Sequence, residues 1–363
     1  AAYVSDDFDI TELLRVHAGM RLGIFQHTGP YTKYVQGDPG DPLTQITPPE
    51  IIQYERGDNI KTYVNPEPRL SLRYTLNDVS SIKAAYTWNY QYIHLASLSP
   101  TSLPTDIWIP STDQINPQKG IQYSLGYFRN FLKDQYETSV EVYYKDMFNL
   151  IEYKDGVRPE DQLNNNIDNL LTYGRGYSYG AEFFVKRKFG KFNGWVGYTW
   201  SKTYRIFEDI NDGEPFPARF DRRHDLSIVL NYDLSRSLVL SGVFVYATGN
   251  AITLPESRYI VEGNVVSLYG DRNSYRMAPY HRADLSLQWT PSLTKKYKMK
   301  HGDKQKRLES SWNFSVYNLY NRMNPYFIYF GAEGNAQAGT LQIKAYQVSL
   351  FPIIPSVTWN FKF

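Results

Sequence analysis

The stretch that decides the fold is the last one in the chain, Pro355-Ser356-Val357-Thr358-Trp359-Asn360-Phe361-Lys362-Phe363. Val357, Trp359, Phe361 and Phe363 alternate with Ser356, Thr358, Asn360 and Lys362. Successive side chains of a strand point to opposite faces, so one face of this segment is apolar and aromatic and the other is polar. A strand that meets hydrocarbon on one side and water on the other has this composition, and such strands cross membranes as closed antiparallel barrels.

The same period of two recurs along the chain. Leu14, Val16, Ala18, Met20, Leu22 and Ile24 oppose Arg15, His17, Gly19, Arg21 and Gly23. Leu70, Leu72 and Tyr74 oppose Arg69, Ser71 and Arg73, and Ile82, Ala84, Tyr86 and Trp88 oppose Lys83, Thr87 and Asn89. Further segments of this kind run through Ile121–Tyr127, Tyr136–Tyr144, Tyr177–Val185, Leu226–Tyr232, Ala283–Trp289 and Trp312–Val316. The segment through Val196, Tyr198 and Trp200 is less regular, because Trp195 breaks its parity. Charges at every second position need a wet interior. With a short first strand at Ala1 to Asp9, the count is about thirteen.

Composition agrees. Hydrophobic residues are 42% and charged residues 21%, mean hydropathy is -0.49, and no apolar run reaches the ~18 residues of a membrane helix. Yet 32 Tyr, 19 Phe and 7 Trp exceed what a soluble core needs and suit aromatic girdles at two membrane interfaces. The absence of cysteine excludes disulfides, thiol catalysis and cysteine-bound metal. A net charge of +2 argues against nucleic-acid binding.

Short connections fall near 10–13, 76–80, 131–134, 189–192 and 233–237, and long ones at 28–66, 93–118, 146–175, 202–222, 249–279 and 321–345. Short turns belong in the periplasm and long loops outside. The connection 290–308 breaks the alternation. Its Lys295, Lys296, Lys298, Lys300, Lys304, Lys306 and Arg307 read as a solvated basic loop, with contact to anionic inner-leaflet headgroups as the sharper alternative.

No catalytic or metal site emerges from the pattern. Arg222-Arg223-His224-Asp225 opens a strand, where arginine and aspartate can pair in the lumen and His224 can sit at the interface. The six histidines lack a zinc-binding spacing, Gly174-Arg175-Gly176 leads into a strand where a phosphate loop would open a helix, and there is no G-x-S-x-G elbow. Asp38-Pro39-Gly40-Asp41 and Glu208 to Glu214 read as turns, since the carboxylate spacing of the second does not fit an EF-hand. The chain is therefore read as a non-enzyme without a cofactor. The inward charges Arg15, Arg21, Arg69, Arg73, Glu137, Glu141, Glu182, Arg282 and Asp284 are mixed in sign, which predicts no strong ion selectivity. Candidate ligand-binding residues are polar and aromatic positions on the long loops: Tyr31, Tyr34, Trp108, Asn164, Asn165, Asn166, Tyr259 and Tyr326.

Three internal stretches and the ending carry a family resemblance: Phe220-Asp221-Arg222-Arg223-His224-Asp225, Thr248-Gly249-Asn250, Tyr317-Asn318-Leu319-Tyr320-Asn321-Arg322-Met323-Asn324-Pro325, and Leu350 to Phe363. The chain resembles the C-terminal part of a TonB-dependent outer-membrane transporter of the kind common in Bacteroidota. The resemblance implies an all-β transmembrane barrel of about 22 strands, of which some thirteen lie here. It also implies a plug domain and first strands outside residues 1–363, so that the whole chain is one C-terminal portion of a barrel domain. The function it implies is import of a scarce extracellular ligand with energy passed through TonB; a passive or structural barrel in a surface assembly is the alternative. Implied partners are outer-membrane lipid and lipopolysaccharide, TonB through an upstream segment, a surface lipoprotein lid, and the barrel-assembly machinery, which would read Trp359, Phe361 and Phe363.

Overall fold

The computed structural model describes residues 1–35, 50–96, 106–154, 167–261, 264–291, 309–334 and 342–362. Asn164, Asn165, Asn166, Phe363, the Asp38–Asp41 turn and the basic run from Lys295 to Arg307 lie outside the described residues.

Thirteen strands form the barrel wall: β1 (Ala2–Asp9), β2 (Leu14–Thr28), β3 (Asn59–Asn77), β4 (Ser80–Gln91), β5 (Gln118–Phe131), β6 (Tyr136–Tyr153), β7 (Leu171–Arg187), β8 (Phe192–Phe207), β9 (His224–Ser235), β10 (Leu238–Ala247), β11 (Tyr280–Trp289), β12 (Glu309–Tyr317) and β13 (Ile354–Lys362). They make one sheet in which chain neighbours are antiparallel sheet neighbours from β1 through to β13. This is the meander that short turns and period-two alternation dictate. No helix among the described residues is long and apolar enough to cross a membrane.

Register places the expected faces together. Val16 lies opposite Leu72, and Leu72 opposite Ala84. Leu125 lies between Ala84 and Val142, and Phe183 between Val140 and Tyr198. Many of these outward residues are exposed to surroundings that in the membrane are lipid, among them Leu125, Val142, Phe183 and Val357. Trp289, Trp312 and Trp359 face one another across β11, β12 and β13, the last two stacked at 5.8 Å. They form part of an aromatic girdle near the short-turn end. A second belt near the outer end includes Tyr177 and Tyr179, whose rings contact Tyr204 and Trp200, and His224, which bonds Tyr198 Oη through Nδ1 at 2.8 Å. Trp195, which disturbs the parity of β8 in the sequence, simply faces the lumen against Phe184.

Several strands reach further outward than hydropathy suggests. β3 starts at Asn59, β6 continues to Tyr153, β7 begins at Leu171 and β8 runs to Phe207, so the expected long loops shorten at their bases. These extensions rise above the bilayer, where neither face meets lipid and the alternation fades. Pro66 and Pro68 fall in the extended part of β3, opposite Leu22 and Met20 of β2. The β3–β4 ladder begins only at Arg69, so a residue without an N–H is tolerated along that free side.

The extensions support small cores outside the membrane. Ala96, Ile109, Ile115, Ile151, Tyr153 and Leu171 form one, and Leu150, Phe207, Ile210 and Phe216 another. A bulge between Met147 and Leu150, with Asn149 at φ 55°, turns Leu150 and Glu152 onto the face shared by Gly174 and Thr172. Glycine is required there, because a Cβ on Gly174 would lie 2.3 Å from the Ile206 carbonyl oxygen.

Candidate ligand site at the outer mouth

The stretch from Tyr317 to Pro325 closes the outer rim with side chains where the ladder stops. β11 and β12 pair only from Leu285↔Val316 to Trp289↔Trp312, leaving the outer half of β11 to other partners. Asp284 Oδ1 accepts the Asn318 N–H at 2.9 Å, and Leu319 N–H donates to Ala283 O at 2.7 Å. Asn324 then behaves as a missing strand residue: its Oδ1 accepts the His281 N–H at 3.0 Å and its Nδ2 donates to His281 O at 2.9 Å. Asn318, only 1% exposed, donates to Arg322 O and Phe351 O and accepts the Arg322 N–H. Asn318 and Asn321 have φ of 54° and 52°, a conformation asparagine tolerates better than most residues.

The other two motif stretches fasten together in the same way. Buried Asp221 accepts the Thr203 N–H at 2.6 Å and pairs with Arg276, whose Nη1 donates to Asp221 O and Gly249 O. Thr248 N–H donates to His224 O, and Thr248 Oγ1 accepts the His224 N–H. Gly249 is needed for close approach: a Cβ would lie 1.9 Å from Met277 O.

Three further loops meet at one polar node. Asp168, on the single turn Ile167–Leu170, is 4% exposed, and its Oδ2 accepts hydrogen bonds from Tyr31 Oη at 2.7 Å and Thr112 Oγ1 at 3.0 Å. Tyr63 Oη donates to Thr112 O at 2.6 Å, and Lys33 pairs with Asp113. Burial raises the Asp168 carboxyl above the usual range, against the two donors that lower it. The bond to Asp113 raises Lys33. Nearby His94 is fully buried, bonds Ser111 Oγ through Nε2 at 2.8 Å, and is lowered by burial to about 4. On the lumen side, Glu152 pairs with Arg205 at 2.6 Å and meets Arg219 at 4.0 Å; burial lowers Arg219.

Beneath the last outer loop lies a cavity of about 230 Å³, lined by Tyr280, Arg282, Tyr317, Asn324, Tyr326 and Phe351 among others. Arg282 Nη1 donates to Tyr280 Oη and Tyr317 Oη, Nε donates to Asp284 Oδ2, and the guanidinium lies 4.1 Å from the Tyr317 ring centroid. With its cation held this way and its walls largely aromatic, the cavity suits a planar or apolar group.

The structure divides the sequence candidates. Tyr326 lines the cavity. Tyr31 belongs to the Asp168 node and serves as a loop tie. Tyr34, Trp108 and Tyr259 stand exposed at 38%, 66% and 55% on separate small hairpins, Tyr31–Val35 with Glu50–Tyr54, Ile93–Ala96 with Ile107–Pro110, and Pro255–Val261 with Asn264–Tyr269. They are not brought together. In the acidic run from Glu208, Asp209 accepts a bond from Thr172 and Asn211 accepts the Arg272 N–H, with Asn211 and Asp212 at positive φ. Asp168, Thr112 and Phe351 carry no local signal that would have marked them, since their partners are distant in sequence.

A meander of lipid-facing strands, aromatic belts and loops fastened above one end defines an outer-membrane β-barrel. The family is then explicit: the chain belongs to the TonB dependent receptor-like β-barrel family, whose profile matches residues 1–319. Solved structures agree on the fold. The ferric yersiniabactin uptake receptor FyuA of Yersinia pestis superposes with a TM-score of 0.58 at 14% identity, covering 99% of this chain and 45% of that one. The ferric-catecholate import receptor Fiu of E. coli K12 gives 0.55 at 14% identity, over 99% and 43%. The ferripyoverdine receptor of the Pseudomonas aeruginosa outer membrane gives 0.53 at 14%, over 99% and 37%. The chain thus spans less than half the length of these receptors. No curated protein matches it. The family and these neighbours are receptors and transporters of the outer membrane, and are not enzymes.

Proposed function

We propose that this chain is the C-terminal wall of a Bacteroidota-type transporter that imports a scarce extracellular ligand with energy delivered through TonB. The observation that carries the reading is the family match over residues 1–319, combined with an outer mouth overlaid by fastened loops. Among the described residues β1 and β13 each pair with one neighbour, and a bare sheet edge is untenable in hydrocarbon. Free edges on β1 and β13 support a reading in which further strands, and a plug domain with its TonB contact, complete the barrel.

The outward face supports the lipopolysaccharide partner. Lys119, Arg175 and Lys202 share the outward face with the upper aromatic belt, and among the described residues none has a carboxylate partner. The Lys119 ammonium lies 5.0 Å from the Trp88 ring centroid and 4.4 Å from that of Phe148. Trp359 and Phe361, exposed on the outer face of β13, suit recognition by the assembly machinery, and the exposed loop aromatics suit a lipoprotein lid.

The test is growth of cells carrying the full-length gene on limiting ferric chelates, glycans or peptides, with and without TonB. Growth on one class that is lost with TonB is expected. Growth that persists without TonB would make the barrel a passive pore.

A further inference from the structure

The membrane face of the short-turn end carries two cations. Across β5, β6 and β7, Arg129 lies opposite Thr138, Thr138 opposite Val185, and Arg187 opposite Tyr136. Arg129 continues the outward set Leu125 and Tyr127, and Arg187 continues the outward set Phe183 and Val185. Both therefore project toward lipid, within two residues of the ends of their strands at Phe131 and Arg187. Other described strand cations near this end, among them Arg15, Arg73, Lys83 and Lys186, project into the wet lumen.

Neither guanidinium has a protein acceptor. Among the described residues no carboxylate pairs with Arg129 or Arg187, and neither side chain donates a hydrogen bond. The nearby carboxylates are engaged elsewhere: Glu137 faces the lumen and pairs with Lys188 at 3.1 Å, and Asp134 accepts a bond from Asn130 Nδ2 at 2.9 Å. Rings hold the two cations instead. The Arg187 guanidinium stands 5.7 Å from the Tyr136 ring centroid and 6.0 Å from that of Phe192, with its Nε buried and unbonded. The Arg129 guanidinium stands 4.8 Å from the Phe131 ring centroid, and Phe131 is the cross-strand partner of Tyr136. Both cations thus border one aromatic pair. Contact with a ring orders a guanidinium without neutralising it. The adjoining turns add exposed Lys133 and Lys191.

We propose that Arg129 and Arg187 form a headgroup site for one anionic phospholipid of the inner leaflet, with its phosphodiester between the two guanidiniums. Its acyl chains lie along the exposed outward residues Tyr127, Val140, Phe183 and Val185. Depth, geometry and charge select this occupant. The short turns lie in the periplasm and the aromatic girdle marks the level of the headgroups, where phosphate is the anion at hand. The two arginines stand on strands two apart, roughly 10 Å, so both side chains can reach one phosphate over β6. Their forked N–H groups match its oxygens. A zwitterionic headgroup would bring its own ammonium against Arg129, Arg187, Lys133 and Lys191, whereas a headgroup of net negative charge would not. The site goes beyond the transport reading, since it needs only the barrel in its membrane.

The experiment is native mass spectrometry of the full-length protein incubated with equal amounts of phosphatidylglycerol and phosphatidylethanolamine of matched acyl chains. One phosphatidylglycerol is expected to stay bound in preference to phosphatidylethanolamine. R129Q/R187Q should weaken its binding about 30-fold, roughly sixfold for each guanidinium at the headgroup level. R56Q/R236Q, which removes as much charge from two exposed turns, should leave it bound. Equal retention of the two lipids, undiminished retention in R129Q/R187Q, or equal loss in R56Q/R236Q overturns the proposal. Displacement by inorganic phosphate also overturns it, because the site would then be one for the free anion. A second measurement reads the folded barrel in phosphatidylcholine nanodiscs with and without phosphatidylglycerol. The anionic lipid should raise the melting temperature of the unaltered protein and not that of R129Q/R187Q; the same rise in both overturns the proposal. Nutrient uptake that proves indifferent to TonB would sink the transport reading and leave this one standing.

Discussion

Asn324 supplies two hydrogen bonds that a strand neighbour would otherwise make, and replacing it tests how the outer rim is held. Each bond to the His281 N–H and C=O is worth a net of about 1 kcal/mol, so Asn324→Ala removes about 2 kcal/mol from the closed state of this corner. Asn324 is 7% exposed, so water does not readily replace the lost partner. The loss is local, because β11 remains paired with β10 along its whole length, from Leu238↔Trp289 to Ala247↔Tyr280. Amide exchange is therefore the assay. About 2 kcal/mol corresponds to an increase of about 30-fold in exchange at His281, with little change for Ser286 or Leu287 in the paired half. Asn324→Asp keeps the acceptor and loses the donor, so its effect on the His281 N–H should be smaller than that of alanine. Unchanged exchange in the alanine variant, or equal acceleration along the whole of β11, would refute the surrogate-strand account.

Two more predictions concern the loop node, where acid acts with opposite signs. His94 is lowered by burial from 6.5 to about 4, so between those values the opened loop binds a proton that the closed loop refuses. Closure of the Ile93–Ala96 and Ile107–Pro110 hairpin should weaken by about 3 kcal/mol as pH falls through that window, and His94→Gln should remove most of this slope in exchange measurements at Ser111. Asp168 is raised, so the closed node holds its proton to higher pH than the opened one, and its contribution worsens as pH rises through the raised value. Asp168→Asn, which keeps an acceptor for Tyr31 and Thr112, should tighten the node at pH 7 and flatten that dependence; looser exchange at Thr112 at pH 7 would contradict it.

Strands were legible in the sequence wherever one face met lipid and the other water, as in Leu14 to Ile24 and Val357 to Phe361. They were illegible where both faces met water or protein: along Asn59–Pro68 neither face is uniform in polarity and two prolines interrupt the pattern, and from Leu150 to Tyr153 every residue is buried. The motif stretches were visible as strings, but not their work. Asn324 finds His281 43 residues away, and Asp221 finds Arg276 55 away, pairings that only the sheet creates. Tyr31 was singled out as an exposed loop aromatic, and its bond to Asp168 crosses 137 residues. Tyr326 stands next to the start of a strand, Pro325–Glu333, and the fold sets it on the wall of a cavity whose lining also draws on distant parts of the chain.

The tryptophans at 289, 312 and 359 have a mechanical consequence. Their indoles occupy one row across three consecutive strands, at the level where headgroups begin. Amphipathic rings resist movement either into hydrocarbon or into water, so this flank of the barrel is moored at a single depth. When the surrounding bilayer thins, these strands cannot slide to follow it, and the lipid must deform to meet the protein.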